Sequence, residues 1–311
     1  MSCALRAAAL ALLSLTLTAQ QPTTLQLNTR LVTIALNVTS NDNAPIPNLT
    51  ASDVEITEDN RPQRIAFFDQ PSTTPLDIVL AIDASESVAP YERLERAAAR
   101  DFIHSLLRPQ DRIALIAFAD SVDQLTAFTN NPRRIDTALG HILHGHATAL
   151  YDALTLASQR LAETPAAPNT RHVIVLITDG ENTTHHGSYT DALQAAQRAG
   201  ATIYSLIVVP VAADAGRDTG GEHALMQLAT DTGGKFYNIH QQSDLTPAFA
   251  HVSTDLRTQY DLGYYAPQPN TAQFSNDAPQ LRHIHLQLRN PTLRAQYTLR
   301  YRTAYDATPQ L

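Results

Sequence analysis

Cysteine is almost missing from this chain. Cys3 is the only one, and it lies inside a leader-like segment. The remainder cannot form a disulfide, so its fold must rest on packing. Lysine is as scarce: Lys235 stands alone and every other positive side chain is arginine, a pattern of genomic bias, since no arginine cluster resembles a phosphate clamp. With a formal net charge of −8, the chain is unsuited to nucleic acid. Only 17% of residues are charged against 43% apolar, which excludes a disordered chain and fits a folded globular one. After the leader, no stretch approaches the roughly 20 apolar residues of a membrane-spanning helix, so no transmembrane segment is expected in the mature chain. Gly-x-Ser-x-Gly, His-Glu-x-x-His and the dinucleotide glycine fingerprint are all missing. The 311 residues suffice for one large domain or two ordinary ones.

What is present begins with an export signal over residues 1–20. Arg6 supplies the positive end, Ala7 to Leu17 the apolar core, and Thr18-Ala19 the small-residue end. An amphipathic first helix is the alternative, but no polar face interrupts Ala7 to Leu13. Cys3 precedes the apolar core and so is no lipid-attachment site. The expected location is secreted or periplasmic.

Residues 73–260 alternate between buried strands and amphipathic helices. Ile78 to Ile82, Ile113 to Phe118, Val173 to Ile177 and Ile203 to Val209 are continuous apolar runs, as in parallel strands covered on both faces. Leu94, Ala98, Phe102 and Leu106 share one helical face, with Pro90 suited to that helix's first turn. Further helices are expected at Pro132 to Leu143, Ala149 to Leu161, Tyr189 to Ala199, His223 to Thr230 and Leu245 to Leu256. Gly200, and Gly233 with Gly234, mark helix ends. Val122 to Phe128 reads as a short antiparallel edge strand. The fold class is α/β, doubly wound, with a mostly parallel sheet.

The flanks have period two. Val32, Ile34, Leu36 and Val38 alternate with Thr33, Ala35 and Asn37, and Val54, Ile56, Ile65 and Phe67 continue the pattern around Asp59-Asn60. Ile284, Leu286 and Leu288, then Ala295, Tyr297, Leu299 and Tyr301, do the same at the far end. Each flank, residues 21–72 and 261–311, is near the size at which a lone core becomes marginal. Pairing of the two into one smaller β-sandwich, with the α/β domain inserted, is the economical expectation; two separate β appendages are the alternative.

The chemistry-bearing residues lie where strands end. Asp83-Ala84-Ser85-Glu86-Ser87 and Ile177-Thr178-Asp179-Gly180 each follow an apolar run, and Thr148 opens a helix between them. In an open α/β sheet, ligands bind beyond the carboxyl ends of the strands at the switch in strand order. Asp83 and Asp179 should converge there. Magnesium prefers six oxygens at about 2.1 Å and keeps several waters. Ser85, Ser87 and Thr148 offer hydroxyls, and Asp83 and Asp179 bind directly or through water. A shell rich in neutral groups leaves the dication electron-poor, suited to a partner's carboxylate.

Asp-x-Ser-x-Ser after the first strand, the threonine of Ala147-Thr148-Ala149-Leu150, and Thr178-Asp179-Gly180 together resemble the metal-ion-dependent adhesion site of von Willebrand factor type A domains. Singly, the first is an ordinary helix cap and the last a turn signal; their order and placement give the resemblance its weight. It covers about six-tenths of the chain and implies that Ser85, Ser87 and Thr148 ligate a metal, with Asp83 and Asp179 acting directly or through water. Mg2+ is the expected ion, with Mn2+ or Ca2+ possible, and the implied partner is a protein presenting an Asp or Glu carboxylate. The flanks, notably Val54-Glu55-Ile56-Thr57-Glu58-Asp59 and the tyrosine-rich last strand, resemble those of exported bacterial proteins carrying such a domain.

Weaker signals have plainer readings. His141, His144, His146, His185 and His186 crowd the loops framing the site, as a pH-tuning rim, a second softer metal site, or polar loop filling. His283 and His285 share a strand face, which a solvated edge explains. Residues 214–221 lack the ligand spacing of a calcium loop, and Gly233-Gly234-Lys235 lacks that of a phosphate loop. The expected function is therefore a metal-dependent protein-binding module and not an enzyme. The alternatives are an envelope component with a structural metal and, last, a hydrolase with Asp83 as nucleophile, in which Ser85 occupies the slot of a second acid.

Overall fold

The computed structural model describes residues 29–70, 73–88, 92–163, 170–184, 186–209, 219–267 and 280–308. The leader, Pro90, His185 and most of the loop at 214–221 lie outside the described residues. The chain enters through β1 (Thr29–Ser40), β2 (Val54–Glu58), β3 (Arg61–Pro62) and β4 (Ile65–Asp69). Asp59 and Asn60 both take positive φ, 47° and 63°. That is the backbone a two-residue hairpin needs to match strand twist, and short polar residues tolerate it best after glycine.

The α/β unit follows: β5 (Leu76–Asp83), α1 (Glu92–Leu106), β6 (Arg112–Phe118), β7 (Val122–Thr129), α2 (Pro132–Leu139), α3 (Leu150–Glu163), β8 (Arg171–Thr178), α4 (Tyr189–Ala199), β9 (Ala201–Val208), α5 (Thr219–Asp231), β10 (Lys235–Ile239) and α6 (Leu245–Thr258). The sheet order is β10-β9-β8-β5-β6-β7, parallel except for the β7 edge. Every residue of β5 is buried, as its unbroken apolar run requires. Helices α1, α2 and α6 cover one face and α3, α4 and α5 the other. Ala98, Phe102 and Leu106 of α1 point into the first of these cores.

Boundaries follow the caps. Helix α2 stops at Leu139, earlier than the periodicity to Leu143 suggests, because Gly140 ends it. In α4, Ser188 caps the start and Gly200, at φ 62°, the end. Helix α5 begins at Thr219, ahead of the expected His223.

The last part supplies β11 (Tyr260–Pro267), β12 (Leu281–Leu288), α7 (Pro291–Gln296), β13 (Tyr297–Arg300) and β14 (Ala304–Asp306). The two flanks pair. Strand β11 lies antiparallel to β1, with Leu36 opposite Tyr260, and β12 lies antiparallel to β2, with Leu286 opposite Ile56. Two four-stranded sheets result, β13-β1-β11-β4 and β14-β12-β2-β3, closing on a common core of Ile34, Leu36, Ile56, Tyr264, Leu286 and Leu288. The strand expected from Ala295 starts only at Tyr297. Asn290 caps a short helix by accepting from the Thr292 N–H at 2.9 Å, and Pro291 is preset for its first turn. Among the described residues, no helix is long and apolar enough to cross a membrane.

Candidate metal centre

The sheet order reverses between β5 and β8: the chain builds β6 and β7 on one side of β5, then returns to lay β8 on the other. Asp83 ends β5 and Asp179 immediately follows β8, so both carboxylates stand at the carboxyl side of neighbouring strands, paired as far as Ile82 with Ile177. Both are buried, Asp83 to 3% exposure and Asp179 to 7%.

The turn after β5 is held open by its neighbours. The Ala84 N–H donates to the Phe118 carbonyl at 2.8 Å, its own carbonyl accepts from Gly145 at 3.1 Å, and Ser85 bridges to Gly145. A Cβ at position 145 would fall 2.0 Å from the Asp120 carboxylate and 2.8 Å from Ala119 Cβ, so the approach of this loop to the turn requires glycine. Asp120 fastens the same loop by accepting from the N–H groups of His146 and Ala147, both at 3.0 Å. Those bonds hold its carboxyl below the usual range.

Within the turn, Ser85 and Ser87 bring their hydroxyls to 3.0 Å. The Ser85 N–H donates to Asp83 Oδ1 at 2.9 Å, and the Thr178 hydroxyl donates to Asp83 Oδ2 at 2.5 Å. Burial nevertheless pushes the Asp83 carboxyl up to about 6, with the Asp179 charge adding to it against those hydrogen bonds. Asp179 is turned by Gly180, whose φ of 95° suits glycine, and accepts from the Glu181 N–H at 3.2 Å. Thr148 is also buried. Its N–H donates to the Thr183 hydroxyl at 2.8 Å, and its carbonyl accepts from Thr183 and Thr184, tying the start of α3 to the loop beyond Asp179.

The structure therefore joins Asp83, Ser85 and Ser87 by direct hydrogen bonds and brings Asp179 within electrostatic reach of Asp83. Thr148 follows the Gly145 loop that bridges to Ser85. Sequence reading gave no role to Thr178, Thr183 or Asp120. Thr178 stood inside the quoted motif, and the other two act through partners about 26 to 35 residues away. Among the described residues, no ion pair neutralises Asp83 or Asp179. Two buried carboxylates with no ion-pair partner among the described residues, beside the Ser85, Ser87 and Thr178 hydroxyls, are an oxygen set of the kind hard cations take.

Among the described residues, which leave out His185, no three His, Cys, Asp or Glu come together. His141 Nδ1 meets the Thr137 carbonyl at 2.7 Å, and exposed His146 pairs with Glu86 across the top of the turn at 3.1 Å. That contact raises the His146 pKa. His283 and His285 are exposed on β12, and Gly233, at φ 80°, turns the chain into β10.

Among curated proteins, none matches this chain. Solved structures share its fold at low identity. The proximal thread matrix protein 1 of mussel byssus, in a structure with a zinc-occupied MIDAS motif, is 18% identical with a TM-score of 0.50. The match covers 65% of this chain and 49% of that one, so the chain spans about half the length of the mussel protein. BatB from Bacteroides thetaiotaomicron is 20% identical over 58% of this chain and 98% of that one, with a TM-score of 0.45. The von Willebrand domain of the type V pilus tip protein Mfa5 from Porphyromonas gingivalis is 16% identical over 58% and 95%, with a TM-score of 0.47. The family model for the von Willebrand factor type A domain matches residues 77–251. That match takes in more than half the sequence, from the second residue of β5 into α6, and the chain belongs to the von Willebrand factor type A domain family.

Proposed function

We propose that this protein is an extracytoplasmic binding module that captures a partner protein's Asp or Glu carboxylate at a divalent cation, Mg2+ before Mn2+ or Ca2+. Ser85, Ser87 and Thr148 would hold the ion through their hydroxyls, with Asp83 and Asp179 supplying charge directly or through water. When bound, the ion supplies a Lewis-acidic position for the incoming carboxylate. One observation carries this reading: Asp83 and Asp179 are buried at adjoining strand ends with no counter-cation among the described residues. The zinc-occupied motif of the mussel protein, on the same fold, supports it.

The chain's own groups have separate tasks. Thr178 and the Ser85 N–H aim the two Asp83 oxygens, and the Ser85–Ser87 contact sets the hydroxyls side by side. Asp120 and Gly145 fix the loop that delivers Thr148. The reading includes no catalysis, because the turn offers serine where a second acid would serve. The export-like leader supports an extracytoplasmic location.

Calorimetry tests the reading. Mg2+ titrated into EDTA-stripped protein should bind saturably, and Asp179→Ala should abolish uptake while leaving cooperative unfolding intact. Equal Mg2+ affinity in that variant would refute it.

A further inference from the structure

A cavity of about 310 Å3 opens at the opposite end of β8 from the candidate metal centre, roughly 23 Å along the strand. Its walls come from both layers of the molecule. Leu31, Thr33 and Ala35 face it from the outer side of β1, Arg171 and His172 from the start of β8, and Arg302 from the segment between β13 and β14.

The two arginines differ in what they meet. Arg171 has an acid partner. Its Nε and Nη2 lie 2.8 and 2.7 Å from Asp261, and its remaining donors reach the carbonyls of Leu256 and Gln259. Asp261 is closed by the Thr74 hydroxyl at 3.0 Å. That pair is neutral.

Arg302 donates from Nη2 to the Thr33 carbonyl at 2.6 Å, but its enclosed Nε meets no acceptor among the described residues. No carboxylate among them pairs with it. Its charged neighbour is a second cation, Arg30; the two guanidinium groups stand over the Tyr305 ring at 5.5 and 5.7 Å. Burial holds its pKa below the ordinary arginine value, yet a guanidinium keeps its proton in proteins. A half-buried cation whose Nε–H is enclosed, and which has no acid partner among the described residues, is costly. His172 does not relieve it, because Nδ1 is engaged by the Ala199 carbonyl at 2.7 Å.

The rest of the wall sets an apolar patch of Leu31, Ala35 and Ala199 among the threonines Thr33, Thr170, Thr202 and Thr232. Leu31 is 42% exposed, and its cross-strand partner Tyr265 is 58% exposed, extending the rim. The Arg302 guanidinium at this wall calls for a monoanion, and the apolar patch of Leu31 and Ala35 for a short hydrocarbon body. The volume sits at the lower end of small-molecule sites, which start near 300 Å3. We propose that this cavity binds a small organic monocarboxylate, its carboxylate on Arg302 and its short aliphatic body against Leu31 and Ala35.

The test uses the full chain in EDTA, so it is independent of the metal centre, with sodium pentanoate as probe and sodium chloride to match ionic strength. Calorimetry should show saturable pentanoate binding, with n-pentanol and inorganic phosphate each about tenfold weaker or more. Arg302→Gln should weaken pentanoate by a similar factor. Ala35→Met fills the cavity without removing the guanidinium and should also abolish binding, which keeps the proposal testable where Arg302→Gln does not fold. No saturable binding of pentanoate overturns it. So does undiminished binding in either folded variant, or phosphate binding as tightly as pentanoate.

Discussion

Asp83→Asn should make the metal-free protein more stable at neutral pH, although it alters a fully buried, doubly hydrogen-bonded side chain. In the unfolded chain an aspartate titrates near 3.8; in the fold Asp83 titrates near 6, chiefly through burial. A carboxyl whose folded pKa is raised favours the fold while protonated, and that contribution is lost as pH rises through the folded value. At about 1.4 kcal/mol for each tenfold change in proton affinity, charging Asp83 costs the fold about 3 kcal/mol once the pH is well above 6. Asparagine carries no such charge. Its oxygen can still accept from the Ser85 N–H, but its amide nitrogen would face Thr178 Oγ1, which already accepts from the Gly180 N–H at 3.1 Å. That mismatch costs about 1 kcal/mol. The variant should therefore gain about 2 kcal/mol at pH 7.5 in EDTA, and lose the advantage as pH falls from 6 to below 4. Urea unfolding of both proteins at pH 4, 5, 6 and 7.5 measures this. With Mg2+ at a hundredfold excess over its Kd, the wild type should recover about 2.7 kcal/mol and the variant nothing. A variant less stable than wild type in EDTA at pH 7.5, by a margin independent of pH, would refute the electrostatic account.

Two further outcomes concern how the sandwich and the α/β unit are joined. Asp261→Asn removes the acid that neutralises buried Arg171, and breaking a buried pair from one side costs about 3 to 5 kcal/mol; equilibrium urea unfolding should show the loss, and a change under 1 kcal/mol would show that the pair is dispensable. Gly233→Ala places a Cβ 2.4 Å from the Tyr301 carbonyl carbon at a φ of 80°, so it should cost several kcal/mol and speed proteolysis near residues 300–303, which limited digestion would detect.

Much of the architecture is legible from local pattern. Strand β5 reads as buried on both faces because all eight of its residues are, and α4 reads to the residue because Ser188 and Gly200 punctuate it. Asp83 and Asp179 can be placed side by side because a strand-order switch follows from a long crossover through β6 and β7. Short elements are less visible. Strand β14 is three residues long and exists only because β12 offers it a partner, and α7 depends on one asparagine cap. The supporting residues of the candidate centre escape a linear reading for the same reason. Asp120 matters through two backbone N–H groups in a loop that only the fold brings near, and Thr178 through a carboxylate ninety-five residues upstream. Nor does any local signal separate Arg302, which has no acid partner among the described residues, from Arg171, which has one.

Because the strands that flank β1 among the described residues are β11 and β13, assembly of the sandwich has an obligatory sequence in time. Strand β1 stays without those partners until more than two hundred further residues exist, exposing the apolar face of Val32, Ile34, Leu36 and Val38 throughout. The middle of the chain, whose strands pair among themselves, can fold in the interval and draw its own ends together, replacing a long floppy loop by a short rigid one. Loss of the final strands would therefore leave the α/β unit intact and the beginning of the protein sticky, a fault located at the opposite terminus from its cause.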